Sequence, residues 1–225
     1  MKTALDWLEQ DLPVLGRHPL FAGMEKETMR DALRMLRAEG SRCPRGQMIH
    51  AAGRPMDRFG MVLEGMVQVC TDDIEGNRMI MAEVPPGAAF GESLCFLGVM
   101  DSPVYAWTVE DSRILWLSPE EIFASPEKPL KYDLRKRFTA ALAIKNLTMN
   151  NRIQVLSRLT LRDRLTAYFT ELSAAQGSTE ISLPMNREDT AVYIGANRSA
   201  LSRELARMKK DGLIDYYRET VRILR

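Results

Sequence analysis

Cysteine and histidine are scarce in this chain of 225 residues, with three of one and two of the other. Cys43, Cys70 and Cys95 are odd in number and far apart, so they give neither a disulfide framework nor a CxxC metal pair. His18 and His50 are isolated, with no HxH motif. An enzyme of the cupin type, another use of a small β-barrel, needs clustered His and carboxylate ligands, and the ligand count argues against it. No nucleophile–base pair stands out, so no catalytic or metal-ligating residue is assigned. No run approaches the roughly 18 apolar residues of a membrane helix. Asp6, Glu9 and Asp11 beside Leu5 and Leu8 are unlike a secretory leader, and a cytoplasmic location is expected. Internal repeats and low-complexity tracts are also missing. Net charge is only +1, which by itself says nothing about nucleic acid.

What is present is an ordinary apolar fraction, 45%, enough for a real core in one large or two modest domains. The charge is unevenly spread. Residues 150–225 hold 13 Lys and Arg against 9 Asp and Glu, whereas residues 1–149 hold 18 against 21. A basic C-terminal part on a mildly acidic body suits DNA binding at one end.

The texture changes along the chain. Residues 1–40 read as helical, broken at His18-Pro19-Leu20-Phe21, with Leu33 and Leu36 on an apolar stripe. From Cys43 to Leu117, Gly and Pro recur between short apolar runs at Met61–Leu63, Met66–Val69, Met79–Met81 and Ile114–Leu117. Short strands between turn residues predict a β-sandwich or barrel, with a hairpin turn at Glu75-Gly76-Asn77-Arg78. Ser118-Pro119-Glu120-Glu121 starts a short helix. Residues 130–157 contain no Gly or Pro and predict one long helix of about 40 Å at 1.5 Å per residue. Leu134, Ala141, Ile144 and Met149 lie near one of its faces, a natural seam for a two-fold dimer. Another helix follows at 160–172, and Ala174–Ser178 reads as a loop. The expected division is 1–125, 126–157 and 158–225.

The stretch Glu188–Asp211 organises the C-terminal part. It reads as two short helices joined at Gly195, where positive φ is tolerated. Asn186 and Asn197 are suited to cap them. Leu201, Leu205 and Met208 form an inward stripe at i, i+4, i+7. Arg198, Ser199, Ser202 and Arg203 fall on the opposite arc, a short donor-rich surface suited to the major groove. A strand at Ile181–Leu183 and a hairpin over Leu213–Leu224 would complete a winged helix-turn-helix.

With Pro44-Arg45-Gly46, Gly60–Val69, Pro86-Gly87, Phe90-Gly91-Glu92 and Gly195–Arg203 in this order, nearly the whole chain resembles the CRP/FNR superfamily of bacterial transcription regulators. The resemblance implies an α+β chain: an N-terminal double-stranded β-roll like that of cyclic-nucleotide-binding domains, a long central dimerisation helix, and a C-terminal winged helix-turn-helix. It further implies a homodimer on near-palindromic double-stranded DNA, gated by a small effector at the β-roll, and it admits RNA polymerase as a partner. Family readers map onto Arg198 and Arg203 as guanine contacts and Ser199 and Ser202 as shorter contacts, with Asn197 beside them as a cap. Ser199 replaces a family glutamate and so removes an acceptor for a cytosine amino group. Lys209 and Lys210 suit backbone charge.

The effector end departs from the cyclic-AMP branch. There the glutamate of the FGE motif contacts ribose, and an Arg-Ser pair ten residues on holds the phosphate. Glu92 is present, but Ser102 and Pro103 stand at the later positions and supply neither a guanidinium nor an N–H. No cysteine precedes Cys43, which argues against the family's four-cysteine iron–sulfur cluster, and His18 and His50 are a thin inventory for haem. The expected effector is a different small organic molecule, near Phe90, Gly91, Glu92, Ser102, Val104 and Tyr105. The alternative is an effector-independent DNA-binding protein whose β-roll is an interaction module.

Overall fold

The computed structural model describes residues 9–72, 75, 78–124 and 128–224. It divides into two compact units, Met1–Ile144 and Lys145–Arg225. The first eight residues, the turn residues Gly76 and Asn77, and the expected division at 125/126 lie outside the described residues.

In the first unit a 3-10 turn at Glu9–Asp11 leads into α1 (Leu12–Leu15) and α2 (Lys26–Met35). Met29, Ala32, Leu33 and Leu36 recur at helical spacing and are buried. Eight strands follow: β1 (Glu39–Cys43), β2 (Met48–His50), β3 (Phe59–Glu64), β4 (Val67–Asp72), β5 (Arg78–Val84), β6 (Ala89–Phe90), β7 (Tyr105–Thr108) and β8 (Ser112–Leu117). Helix α3 (Glu92–Phe96) lies between β6 and β7, and α4 (Glu120–Phe123) follows β8. Helical structure ends earlier than expected, because Glu39 and Gly40 pair with Trp116 and Leu115 in a strand.

The strands form two four-stranded antiparallel sheets, in the orders β1-β8-β3-β6 and β2-β7-β4-β5. This is the expected β-roll. Strand β3 is buried on both faces, and its period-two alternation explains why. Phe59, Met61 and Leu63 point into a core shared with the helices, whereas Val62 joins the core of Val67, Val84, Phe90, Ala106 and Ile114. Gly60 makes room for the second core: a Cβ there would stand 2.3 Å from the Phe90 ring. Phe90 in turn meets Trp116 edge-on, centroids 5.6 Å apart.

One long helix, α5 (Pro129–Leu156), runs through the division between the units. The second unit continues with α6 (Leu161–Gln176), β9 (Glu180–Ser182), α7 (Arg187–Tyr193), α8 (Arg198–Lys210), β10 (Ile214–Tyr217) and β11 (Thr220–Ile223). Helix α6 overruns the expected loop start: Ala174, Ala175 and Gln176 are helical, and the stop is Gly177 at φ +62°. Alanine is the best helix former and a left-handed glycine a common terminator, so the helix extends to the first residue that ends it well. The three strands form a sheet in the order β10-β11-β9. Leu165, Phe169, Ile181, Ala191, Leu201, Leu205 and Val221 share its core.

Candidate DNA-reading surface

Both helices of the C-terminal pair begin at side-chain caps. Asn186 accepts from the Glu188 and Asp189 N–H groups, and Asn197 accepts from Ala200 N–H at 2.8 Å. Between them Gly195 takes φ +68°. Leu201, Leu205 and Met208 are buried, so the opposite arc of α8 carries Arg198, Ser199, Ser202 and Arg203 into solvent. Among the described residues no ion pair ties Arg198 or Arg203, which leaves two guanidinium groups for an external acceptor. Asn197 is different: its side-chain oxygen is occupied by the cap. Lys209 is also engaged, with its ammonium 2.5 Å from Asp215. The wing is β10 and β11, turning at Arg218, a non-glycine residue at φ +51°.

Four residues outside the expected set hold this surface. Arg164 on α6 donates to the Ile194 and Gly195 carbonyls at 3.3 and 3.2 Å, within the turn of the helix pair. Arg187 at the start of α7 donates to the Arg218 carbonyl at 2.5 Å, joining the helix pair to the wing. Arg162 on α6 donates to Glu204 on α8 at 2.7 Å. Glu204 was legible in principle: it is i+3 from Leu201, on the inward side, where an acid signals a buried ion pair. The arginines could not be singled out, because their partners are distant or are backbone carbonyls.

The expected effector residues are all buried or half-buried. Phe90 is buried within the β-roll, and Glu92 is buried in the first turn of α3. Gly91 takes φ +82°, and a Cβ there would meet the Met56 sulfur at 2.2 Å. Ser102 is buried and occupied: its hydroxyl donates to the Val104 carbonyl at 2.9 Å and accepts from Val104 N–H at 3.3 Å. Tyr105 is a correction. It neighbours the inward Ala106 and therefore faces the other side of the sheet, where its hydroxyl donates to exposed Asp72 at 2.7 Å. It does not line a site shared with Phe90.

The expected seam is also corrected in part. Leu134 has no exposed surface and belongs to the chain's own core, so it has none to offer a second copy. Ala141 is half-buried, whereas Ile144 and Met149 are exposed, as are Leu147 and Ile153 farther along.

Comparison with known proteins decides the family. Residues 41–124 match the cyclic nucleotide-binding domain and residues 163–225 match the Crp-like helix-turn-helix domain, so the two matches together take in well over half of the chain. The chain belongs to the CRP/FNR superfamily of transcription regulators. The transcriptional regulator SdrP of Thermus thermophilus is 27% identical over 164 residues, 71% of this chain and 76% of that protein. A cAMP-activated CRP-like global regulator of Mycobacterium tuberculosis is 22% identical over 208 residues, 89% and 90% of the two chains. Among solved structures, the Thermus thermophilus catabolite activator protein shares the fold at a TM-score of 0.51, with 22% identity and coverage of 91% and 93%. The c-di-GMP-responsive regulator CLP of Xanthomonas campestris shares it at 0.55, with 18% identity and coverage of 89% and 100%. This CRP/FNR protein is therefore a transcription regulator with a DNA-binding helix-turn-helix, and not an enzyme. Among the described residues no helix is long and apolar enough to cross a membrane.

Proposed function

We propose that this regulator works as a homodimer that reads near-palindromic double-stranded DNA through α8, with a small organic effector other than cyclic AMP setting how the two reading helices are presented. The carrying observation is the outer arc of α8, where Arg198, Ser199, Ser202 and Arg203 are exposed and the two arginines lack ion pairs among the described residues. Arg198 and Arg203 would each reach guanine O6 and N7, and the serines would make shorter contacts to base or phosphate. Asn197, with its oxygen used as a cap, contributes at most its amide donors.

In this reading residues 1–125 sense, 126–157 dimerise and 158–225 bind DNA. Exposed Leu147, Met149 and Ile153 support the seam, because a two-fold contact would cover them. Against cyclic AMP stands the state of Ser102, whose hydroxyl is already used and which carries no guanidinium. A different effector would use the other expected residues, Phe90, Gly91, Glu92 and Val104. A DNA partner supports a cytoplasmic location, and activation would add RNA polymerase.

A row of exposed Met79, Ile80 and Met81 on edge strand β5 favours a second reading, in which the β-roll binds a protein and DNA binding needs no effector. The test is selection from random duplexes at fixed salt, because phosphate contacts make affinity salt-dependent. An enriched palindrome with half-sites about one helical turn apart supports the two-fold reader. A change in affinity with a small-molecule extract of the source cells supports the effector, and indifference supports the second reading. No enrichment with or without extract would contradict both.

A further inference from the structure

The outer arc of α8 would read DNA only if the helix is held at one rotation and one height. The stripe of Leu201, Leu205 and Met208 does not secure that alone, because apolar burial is non-directional and a helix can roll or slide over it at modest cost. The tolerance is small. On a helix of roughly 5–6 Å radius with side chains, a roll of about 20° moves a surface atom by about 2 Å. That is enough to break a hydrogen bond to a base edge.

One side chain from α6 opposes both motions. Arg162 Nε donates to Glu204 Oε1 at 2.7 Å, and its Nη1 stands 2.8 Å from Asp211 Oδ2. Glu204 and Asp211 are two helical turns apart, the second being the cap residue that closes α8. A rigid guanidinium bridging two carboxylates so spaced resists sliding along the axis and rolling about it together. Glu204 is buried, is the immediate neighbour of Arg203, and also accepts from Arg207 at 3.3 Å on the outer arc. The inner ion pair and the outer arc therefore share one backbone turn.

We infer that Arg162 is a positioning residue for sequence reading: through Glu204 and Asp211 it fixes the rotation and height of α8, and so the aim of Arg203 and Arg198, without touching DNA itself. This rests on the reading that α8 recognises base pairs. A merely stabilising ion pair would change how much protein is folded, lowering binding to every sequence alike. A positioning residue changes the ratio between operator and unrelated duplex, because phosphate contacts tolerate a small roll and base contacts do not.

The test uses the full chain and the operator recovered by selection. R162A alone would leave the Glu204 carboxylate poorly compensated in a buried place, so R162A/E204Q is the main variant. It keeps an acceptor for Arg207 and keeps the net charge, and circular dichroism and denaturant unfolding establish that it is folded before binding is read. Affinities for the operator and for a scrambled duplex of equal length are compared at one salt concentration. Operator affinity is expected to fall about tenfold or more, the scale of one lost base contact, with scrambled-duplex affinity unchanged. R162K should lose most of the ratio too, because an ammonium cannot bridge both acids. An unchanged ratio in R162A/E204Q, or an equal loss on both duplexes, would overturn the inference. R203A and R198A run in parallel separate the two claims. If R203A and R198A both leave the ratio unchanged, the base-reading role of α8 fails; if either lowers it and R162A/E204Q does not, only the positioning role fails.

Discussion

Arg164 and Gly195 meet at the turn between α7 and α8: the guanidinium donates to the Gly195 carbonyl at 3.2 Å, and the glycine stands at φ +68°. The same Nη1 reaches the Ile194 carbonyl, and Nε reaches the Arg158 carbonyl at 3.0 Å, so one side chain satisfies acceptors from two chain segments. An alanine at 195 adopts this backbone only with strain, and its Cβ would stand 2.9 Å from the end of the Leu156 side chain. G195A should cost about 1–2 kcal/mol from the backbone alone, since leucine can move aside. R164A should cost less, about 0.5–1.5 kcal/mol, because two of its three bonds are exposed and water can replace them. Denaturant unfolding of the full chain measures both. An unchanged stability in G195A would mean that the turn relaxes to another conformation.

A buried ion pair ties the N-terminal turn to the β-roll. Arg113 on β8 donates to Asp11 through both terminal nitrogens, at 3.2 and 2.5 Å, and to Glu64 at 2.7 Å. Asp11 and Arg113 are 3% and 7% exposed, so removing one partner leaves the other charge out of water. D11A should destabilise by about 3–5 kcal/mol, whereas E64A, at the exposed end, should cost under about 1 kcal/mol. Thermal or urea unfolding separates the two, and equal losses would contradict the burial argument.

Cys70 and Cys95 are poorly suited to sensing oxidants. Burial, followed by the charges of Asp57 and Glu92, pushes the Cys95 thiol up to about 12, and burial also raises Cys70. Thiolate is the reactive form, so alkylation of Cys95 at pH 8 should run far slower than that of an ordinary exposed thiol. Mass spectrometry after timed iodoacetamide treatment reads this directly. Rapid modification of Cys95 in the folded protein would show an activated thiol.

His50 gives a pH dependence with a definite sign. Its Nε2 is buried without a partner among the described residues, and burial holds its pKa below 6.5. The unfolded chain therefore binds that proton more readily than the folded one. This contribution to stability is fully present above about pH 6.5 and is lost as pH falls from there through the folded pKa. H50Q should flatten the corresponding part of the stability–pH curve. An identical slope in the variant would place the effect elsewhere.

How much was legible in the sequence followed the range of the interactions. The pair α7 and α8 was read in place, because its determinants lie within a few residues: Asn186, Asn197, Gly195 and the Leu201 stripe. The apolar strands β3, β4, β5 and β8 announced themselves. Strand β1, with sequence EGSRC, did not, because its register comes from pairing with β8 some 70 residues away. The five-residue helix α3 was likewise hidden among strands, where it follows a left-handed glycine. At the sites, an exposed arc could be inferred from helical periodicity. What Ser102 bonds to, which way Tyr105 faces, and that Arg162 bridges two acids all depend on tertiary neighbours. Leu134 was misassigned for the same reason, since periodicity finds an apolar face without saying what covers it.

Whether α8 reads sequence is decided by the base discrimination of Arg203. With the selected operator in hand, wild type and R203A would be titrated at one salt concentration against duplexes carrying each single base-pair change. R203A should lose about 1–3 kcal/mol on the operator and become indifferent to the base at one position of each half-site, while still discriminating at the others. An equal loss on every duplex, with all preferences intact, would mean that Arg203 grips phosphate and that α8 does not read sequence through it.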